Sequence, residues 1–398
     1  MKMQPLYLKK NHEKRLQAGH PWIFSNEIDV ARSPLSAFQA GERVQVLGQD
    51  GRHLGSAYLN PKTLLAGRVY SWHKNQPLDA DFLKSRLEEA LHWREQLIPA
   101  PYYRLVFGEG DGLPGLIIDR FGAYLVLQIT TAGMELAKDL LIEVLVELLQ
   151  PEGILLRNDH GYRETEGLPT GIETAYGNIP ETTEIIENGL HFEVPLLQGQ
   201  KTGWFYDQRQ NRARLHPYVK NARVLDVCAY LGSFTVHACA YGASSVLAVD
   251  SSQFACEQTL KNAALNGFGD RVQTRCEDAF DALKALQAEA PFDVVLIDPP
   301  AFIKKKKDLP AGQRAYQKLN QLALACLKPG GILFSSSCSM HLSDQDLQSV
   351  IQAAAVAQKS PVQILDYGQQ AADHPVHPAI PETHYLKTFV CRKMNVLS

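Results

Sequence analysis

The sequence lacks several features that would assign a protein to a class at once. It has no run of 18 or more apolar residues, and the most apolar stretch, Leu140 to Leu149, carries Glu143 and Glu147 at helical spacing, which predicts an amphipathic helix. The seven cysteines include no CxxC pair, so we predict neither a disulfide framework nor a metal site. The N-terminal MKMQPLYLKKNHEKR has no apolar segment after its basic residues, and we expect a cytoplasmic protein without a membrane partner.

Charge is distributed unevenly along the chain. Residues 1–74 contain eleven Lys or Arg and five Asp or Glu, a net charge of +6, so the overall charge of −3 leaves −9 for the remainder. A basic end on an acidic protein favours one module that binds an anion and another that carries out chemistry. A chance distribution is the alternative.

Hydrophobic periodicity predicts three domains. Short strand-like runs separated by Gly and Asn-Pro signals predict a small β domain at residues 1–75. Mixed helical and strand-like segments predict an α+β middle domain at residues 76–187. In residues 188–398, apolar strands alternate with helical segments from Arg223 onward, and this alternation calls for parallel strands joined by helical crossovers. We therefore predict a C-terminal doubly wound α/β domain.

Three carboxylates at predicted strand ends favour a nucleoside pocket. Asp226 ends the first strand of the α/β domain and Asp250 the second, where a carboxylate can accept hydrogen bonds from both ribose hydroxyls. Asp278 ends the third strand and can accept from the amine of adenine. Each of the three has an ordinary alternative, and Asp278 in particular could cap the helix that follows it.

The turn after the first strand indicates which nucleoside cofactor fits. Gly232 allows close approach of the backbone to a ligand, whereas Cys228 and Tyr230 stand where a phosphate-binding loop has glycines. We expect Tyr230 and Gly232 to contact an adenosine-bearing cofactor that has no phosphates.

Two residues beyond later strands favour covalent chemistry on a pyrimidine. Asp298 follows the fourth strand in DPPAF, and Cys338 follows the fifth in SSSCS, so both lie at the same edge of the predicted sheet. A thiolate can add to C6 of cytosine and make C5 nucleophilic, while a protonated Asp298 bonds to N3. Asp298 also lies where a cofactor residue belongs, and the alternative for Cys338 is buried packing.

Four consecutive lysines follow DPPAF: Lys304, Lys305, Lys306 and Lys307. Such a run is usually a solvated loop. Beside an active site, it could instead hold the phosphates of a polynucleotide.

Several long motifs resemble one family, the RlmI-type large-subunit (23S) ribosomal RNA cytosine-5 methyltransferases. The resemblance covers nearly the whole chain and rests on GHPWIFSNEI, FGEGDGLPGLIIDRFGAYLVLQ and KTGWFYDQR, together with DPPAF and SSSCS. The long motifs are specific, whereas DPP alone is shared by many methyltransferases.

The resemblance implies a PUA-like RNA-binding domain and a Rossmann-like domain that binds S-adenosyl-L-methionine, with Cys338 as the nucleophile. Phe205 and Asp207 are then expected at the cofactor, and Arg209 and Arg212 beside the RNA. Ribosomal RNA is the implied partner, and a homodimer the implied assembly.

One departure and three rival functions stay open. Pro300 stands where many RNA cytosine-5 methyltransferases carry a second cysteine, so another base or a water must remove the C5 proton. The first rival is an amino-group methyltransferase, which would use DPPAF without a thiol. The second is a non-catalytic RNA-binding assembly protein, and a dehydrogenase is the weakest.

Overall fold

The computed structural model describes residues 3–289 and 291–394, which divide into two compact units. The first unit contains the residues up to Thr183, with Pro195–Tyr206 and Ala372–Pro381. The second contains Glu184–Val194, Asp207–Ala371 and the described residues from Glu382 onward. Among the described residues, no helix is long and apolar enough to cross a membrane. The predicted limits of the three domains stay a prediction.

The first unit begins with a five-stranded β sheet in the order β1-β3-β4-β5-β2. Its elements are β1 Gln4–Tyr7, α1 Lys14–Gln17, β2 Trp22–Phe24, β3 Glu42–Leu47, β4 His53–Leu59 and β5 Leu65–Ser71. The β strands predicted in this region are all present. Their apolar side chains, including Leu6, Val44 and Val46 at 0% exposure, form one core, which accounts for the short alternating runs in the sequence.

A second five-stranded sheet follows in the order β10-β9-β8-β7-β6. Its elements are α2 Ala80–Leu97, β6 Tyr102–Phe107, β7 Leu116–Phe121, β8 Tyr124–Ile129, α3 Ala132–Glu135, α4 Lys138–Leu149, β9 Gly153–Arg157, α5 Tyr162–Glu166 and β10 Ile172–Gly177. Asp79 caps α2 by accepting a hydrogen bond from the Phe82 amide. The apolar face of α4 packs into the core of this region, as its helical spacing predicted.

The second unit contains a seven-stranded sheet in the order β15-β14-β13-β16-β17-β19-β18. Before it come a two-stranded sheet, β11 Thr182–Glu187 with β12 Leu190–Pro195, and the short helix α6 Arg209–Ala213. The large sheet and its helices are β13 Arg223–Val227, α7 Ser233–Ala240, β14 Ser245–Asp250, α8 Gln253–Leu265, β15 Val272–Cys276, α9 Ala279–Leu286, β16 Phe292–Ile297, α10 Leu309–Cys326, β17 Leu327–Ser337, α11 Asp344–Ala357, β18 Val362–Gln369 and β19 Lys387–Lys393.

The predicted doubly wound fold is confirmed, with one addition. Strands β13 to β17 pair in parallel, and the apolar runs of β13, β14, β16 and β17 are largely buried, as helices on both faces of a sheet require. Strand β19 inserts antiparallel between β17 and β18, and the sequence pattern did not predict it. An antiparallel neighbour needs no helical crossover, so the strand and helix alternation gives no sign of it.

Candidate active site

The carboxyl ends of β13, β14, β16 and β17 bring four of the predicted residues to one edge of the sheet. Asp226 lies within β13, Asp250 ends β14, Asp298 directly follows β16, and Cys338 directly follows β17. Parallel strands place such positions side by side, and ligands of doubly wound sheets bind at this edge. The topology therefore assembles the predicted site.

The loop after β13 has an unusual backbone. Cys228, Tyr230 and Gly232 have φ values of 66°, 52° and 74°, so two non-glycine residues adopt the left-handed region beside a glycine. Each such non-glycine residue costs about 1–3 kcal/mol and is typical of a ligand-binding segment. At Gly232 a Cβ atom would lie 2.6 Å from Thr259 Cγ2, so this position has no room for a side chain.

Helix α8 and Asp250 hold this loop in place. The Tyr230 amide donates to Asp250 Oδ2 at 2.9 Å, while Thr259 Oγ1 donates to the Tyr230 carbonyl at 3.0 Å. Asn262 Nδ2 donates to the Leu231 carbonyl at 2.9 Å. Because each carboxylate oxygen has two lone pairs, Asp250 can accept from the loop and from ribose hydroxyls at once. The strained loop and the carboxylate that ends β14 fit an adenosine-bearing ligand.

Asp226 and Asp278 take different positions. Asp226 is 2% exposed and accepts a hydrogen bond from Thr235 Oγ1 at 2.7 Å, and burial raises its pKa to about 6. This burial makes it a support for the loop that follows. Asp278 is exposed and caps α9 by accepting from the amides of Phe280 and Asp281, the alternative that the sequence left open. Its contact with adenine stays a prediction.

Asp298 is held by a residue that the sequence analysis did not single out. Gln208 is 3% exposed, and its Nε2 donates to Asp298 Oδ2 at 2.8 Å. Asn211 Nδ2 in turn donates to Gln208 Oε1 at 2.7 Å, which fixes the orientation of the Gln208 amide. The sequence did contain a signal for Gln208, because it lies in the KTGWFYDQR motif between Asp207 and Arg209, which were predicted site residues.

Cys228 shows that the strand ends are close together. Burial raises the pKa of its thiol, and the Asp250 and Asp298 carboxylates add to this shift. Such surroundings favour the protonated thiol over the thiolate.

Cys338 is half-buried and lies in a polar network. Ser337 Oγ donates to the Tyr316 hydroxyl at 2.9 Å, and the same hydroxyl lies 2.8 Å from Ser339 Oγ. Tyr316 also packs against Phe302 of DPPAF, with ring centroids 4.7 Å apart. Helix α10 thus connects the loop that carries Asp298 with the loop that carries Cys338.

The residues around KTGWFYDQR differ in exposure. Asp207 is buried and accepts a hydrogen bond from the Tyr385 hydroxyl at 2.6 Å. Phe205 belongs to the first unit, and Lys201 Nζ lies 4.6 Å from the centroid of the Phe205 ring. The Arg209 guanidinium lies at 4.0 Å from Glu187. Their cofactor and RNA roles stay predictions.

Arg212 is buried and bound to a carboxylate. It is 1% exposed, and its Nε and Nη2 donate to Glu187 at 2.5 and 2.8 Å. Burial alone would raise the pKa of Glu187, but Arg212, with Arg209, holds it below its usual value. Arg212 Nη1 also donates to Ser233 Oγ at 3.3 Å, at the start of α7. Arg212 thus links Glu187 to the start of α7, next to the cofactor loop, and its contact with RNA stays a prediction.

The lysine run is on the surface. Lys304, Lys305, Lys306 and Lys307 are all exposed, just beyond Asp298 and Phe302. Their position is compatible with contact to a polyanion.

Comparisons with known proteins identify the class of enzyme. A family model described as S-adenosylmethionine-dependent methyltransferase matches residues 150–384, and one described as a PUA-like domain matches residues 6–72. The ribosomal RNA large subunit methyltransferase I of Aliivibrio fischeri is 37% identical over 97% of this chain and 98% of its own length. Its namesake from Shewanella denitrificans is 38% identical over the same shares.

The chain belongs to this methyltransferase family. It is an S-adenosylmethionine-dependent methyltransferase with an N-terminal PUA-like domain, as predicted. A Streptococcus mutans protein assigned to the SAM-dependent methyltransferases has the same fold, with a TM-score of 0.83 at 23% identity over 98% of this chain and 100% of its own.

Proposed function

We propose that this enzyme methylates C5 of a cytosine in large-subunit ribosomal RNA through a covalent adduct of Cys338 with C6. The observation that carries the proposal is the placement of Cys338 and Asp298 directly after the neighbouring parallel strands β17 and β16. An amino-group methyltransferase needs no thiol there. The curated relatives are named as ribosomal RNA large subunit methyltransferases, which supports ribosomal RNA as the substrate.

The chemistry follows from the electron demand of the pyrimidine ring. The Cys338 thiolate adds to C6 while N3 takes a proton from Asp298, and C5 becomes nucleophilic. S-adenosylmethionine, when bound, supplies the methyl group as an electrophile. A water molecule or another base then takes the C5 proton, the N3 proton returns to Asp298, and the bond between Sγ and C6 breaks, which releases 5-methylcytosine and the thiolate. Asp226, Asp250, Tyr230 and Gly232 form or support the loop that holds the cofactor.

Gln208 decides which oxygen of Asp298 carries the proton. Its Nε2 donates to Asp298 Oδ2, and its orientation is fixed by Asn211. A hydrogen-bond donor at Oδ2 places any carboxylic proton on Oδ1. Asp298 can therefore act as the donor to N3 with one defined atom.

The RNA would be bound by charge and by the PUA-like domain. Residues 1–74 have a net charge of +6, and four exposed lysines follow the Asp298 loop. Lys and Arg side chains bind a polynucleotide through its phosphates, with an affinity that falls as the salt concentration rises.

We also propose a cytoplasmic location and a homodimer. Light scattering of the purified enzyme tests the homodimer.

The test is methyl transfer to unmodified large-subunit ribosomal RNA with labelled S-adenosylmethionine, followed by digestion and identification of the labelled nucleoside. We expect 5-methylcytosine from the wild-type enzyme and none from Cys338→Ala. Cys391→Ala is the matched control, because it removes a buried thiol from β19 without touching the site. Label in a methylated purine, or full activity of Cys338→Ala, would overturn the proposal.

A further inference from the structure

Strand β19 carries a lysine in an unusual position. Lys387 is 2% exposed, and lysine is rarely buried so fully. In the antiparallel register of β17 and β19, Lys387 lies opposite Ser337, the residue directly before Cys338. A buried cation thus lies beside the proposed nucleophile.

The ammonium group is bound by the loop that contains Cys338. Lys387 Nζ donates to the carbonyl of Ser339 at 3.0 Å and to the carbonyl of Leu342 at 2.6 Å. Both carbonyls belong to the segment that leads from Cys338 to α11. These contacts orient the ammonium but leave its full charge for a neighbouring anion, because amide carbonyls are neutral.

Nearby groups of negative charge favour the ammonium form of Lys387. Burial lowers the pKa of Lys387, and Asp344, Cys338 and Asp346 oppose this shift. Asp344 and Asp346 belong to α11, and His384 Nδ1 lies 3.9 Å from the Asp344 carboxylate. On α10, the other side of Cys338, stands Tyr316, whose pKa is raised by burial and which therefore stays neutral near pH 7.

We infer that Lys387 is the positioning residue whose positive charge stabilises the Cys338 thiolate and whose hydrogen bonds hold the Cys338 loop. The physical basis is that a thiolate is the reactive form of cysteine and that a nearby ammonium favours it over the thiol. The inference rests on the proposed role of Cys338 as nucleophile. It adds a source of activation that Asp298 does not supply, since Asp298 acts in the proposed chemistry as a proton donor to N3 and not as a base for the thiol.

The experiment measures the ionisation of Cys338 directly, without methyl transfer. The intact enzyme is alkylated with iodoacetamide from pH 6 to pH 10, and the rate at Cys338 is read by peptide mass spectrometry. Variants Lys387→Met and Lys387→Gln remove the charge, and only Gln keeps a hydrogen-bond donor. Lys387→Arg keeps the charge. Cys276, which is exposed, serves as an internal control in every sample.

We expect the alkylation midpoint of Cys338 to rise by about one pH unit or more in both the Met and Gln variants, and to stay near the wild-type value in Lys387→Arg. The Cys276 profile should not change. The methylation rate at pH 7 should fall about tenfold in Lys387→Gln and recover as pH rises, because one unit of pKa is a factor of ten in thiolate.

Two outcomes would overturn the inference. A Cys338 midpoint that is unchanged in Lys387→Gln would remove the role of the charge, even where the Met variant fails to fold. Equal loss of methylation at pH 7 and pH 9 would indicate a tether alone. The proposed function is tested separately by Cys338→Ala: if that variant keeps full activity, the function fails, whereas the alkylation profile still decides the role of Lys387.

Discussion

Gln208 offers a direct test of how Asp298 is controlled. In Gln208→Leu the donor to Asp298 Oδ2 at 2.8 Å is lost within a buried environment, while side-chain volume is nearly kept. A hydrogen bond to an ionisable group contributes about 1.5–3 kcal/mol, so we expect kcat/KM for methyl transfer to fall about 10- to 150-fold. The loss should appear mainly in kcat, because the proton at N3 matters in the reaction and less in RNA binding.

A double-mutant cycle extends the test. Asn211 Nδ2 donates to Gln208 Oε1 at 2.7 Å, so we expect Asn211 to act on Asp298 by way of Gln208. Asn211→Ala should therefore reduce kcat less than Gln208→Leu, and the double variant should match Gln208→Leu alone. Independent additive effects would refute the reasoning, since they would show that Asn211 does not act by orienting Gln208.

Gln210 supplies the matched control for this cycle. It is two positions from Gln208, is exposed, and belongs to the same short helix as Asn211. Gln210→Leu should leave kcat within about twofold of the wild type. Rates are compared at saturating S-adenosylmethionine, and thermal unfolding confirms that each variant is folded. A loss in Gln210→Leu equal to that in Gln208→Leu would assign the effect to the helix and not to Asp298.

Three further predictions follow from the same site. Burial raises the pKa of Asp226 from 3.8 to about 6, so the unfavourable charge of its carboxylate weakens the folded state as pH rises through 6. Asp226→Asn should therefore increase the free energy of unfolding by about 2–3 kcal/mol at pH 8 but little at pH 4. Urea denaturation at the two pH values measures this difference. Gly232→Ala should weaken S-adenosylmethionine binding at least tenfold in calorimetry, because the added Cβ atom would meet Thr259. Gly267→Ala is the control and should not weaken binding: Gly267 has a similar φ of +76°, but an added Cβ would have no atom within 4 Å. Replacing the four lysines 304–307 by Gln should reduce the slope of log affinity for RNA against log salt concentration by up to about three, and should leave S-adenosylmethionine binding unchanged. An unaltered slope would exclude contact of these lysines with phosphates.

The sheet edge was predictable from the sequence because strand ends are marked by simple patterns. Asp226, Asp250, Asp298 and Cys338 each stand at the end of an apolar run, and parallel pairing brings such ends together whatever the side chains are. Residue spacing alone therefore located the edge. It could not distinguish exposed carboxylates from buried ones such as Asp226, whose contact with the cofactor stays a prediction.

The support of the site was not predictable in the same way. Gln208 comes from the segment before α6, Tyr316 from α10 and Lys387 from β19, and only the three-dimensional fold brings them to the loops of Asp298 and Cys338. A buried lysine in KTFVCRK looks like an ordinary surface cation when only its sequence neighbours are considered. Arg212 shows the same limit, since the residues next to it in the sequence give no sign that it is buried against Glu187.

The two halves of the site are held by different physical means, and this difference predicts how each will respond to change. In the cofactor loop, Cys228 and Tyr230 have a left-handed backbone conformation, and hydrogen bonds that Tyr230 forms with Asp250 and with Thr259 of α8 offset the strain. The Asp298 and Cys338 loops are instead joined by a buried polar network around Tyr316, which allows little movement. Changes in α8 should therefore alter cofactor affinity first, whereas changes around Tyr316 should alter the rate of transfer at unchanged affinity.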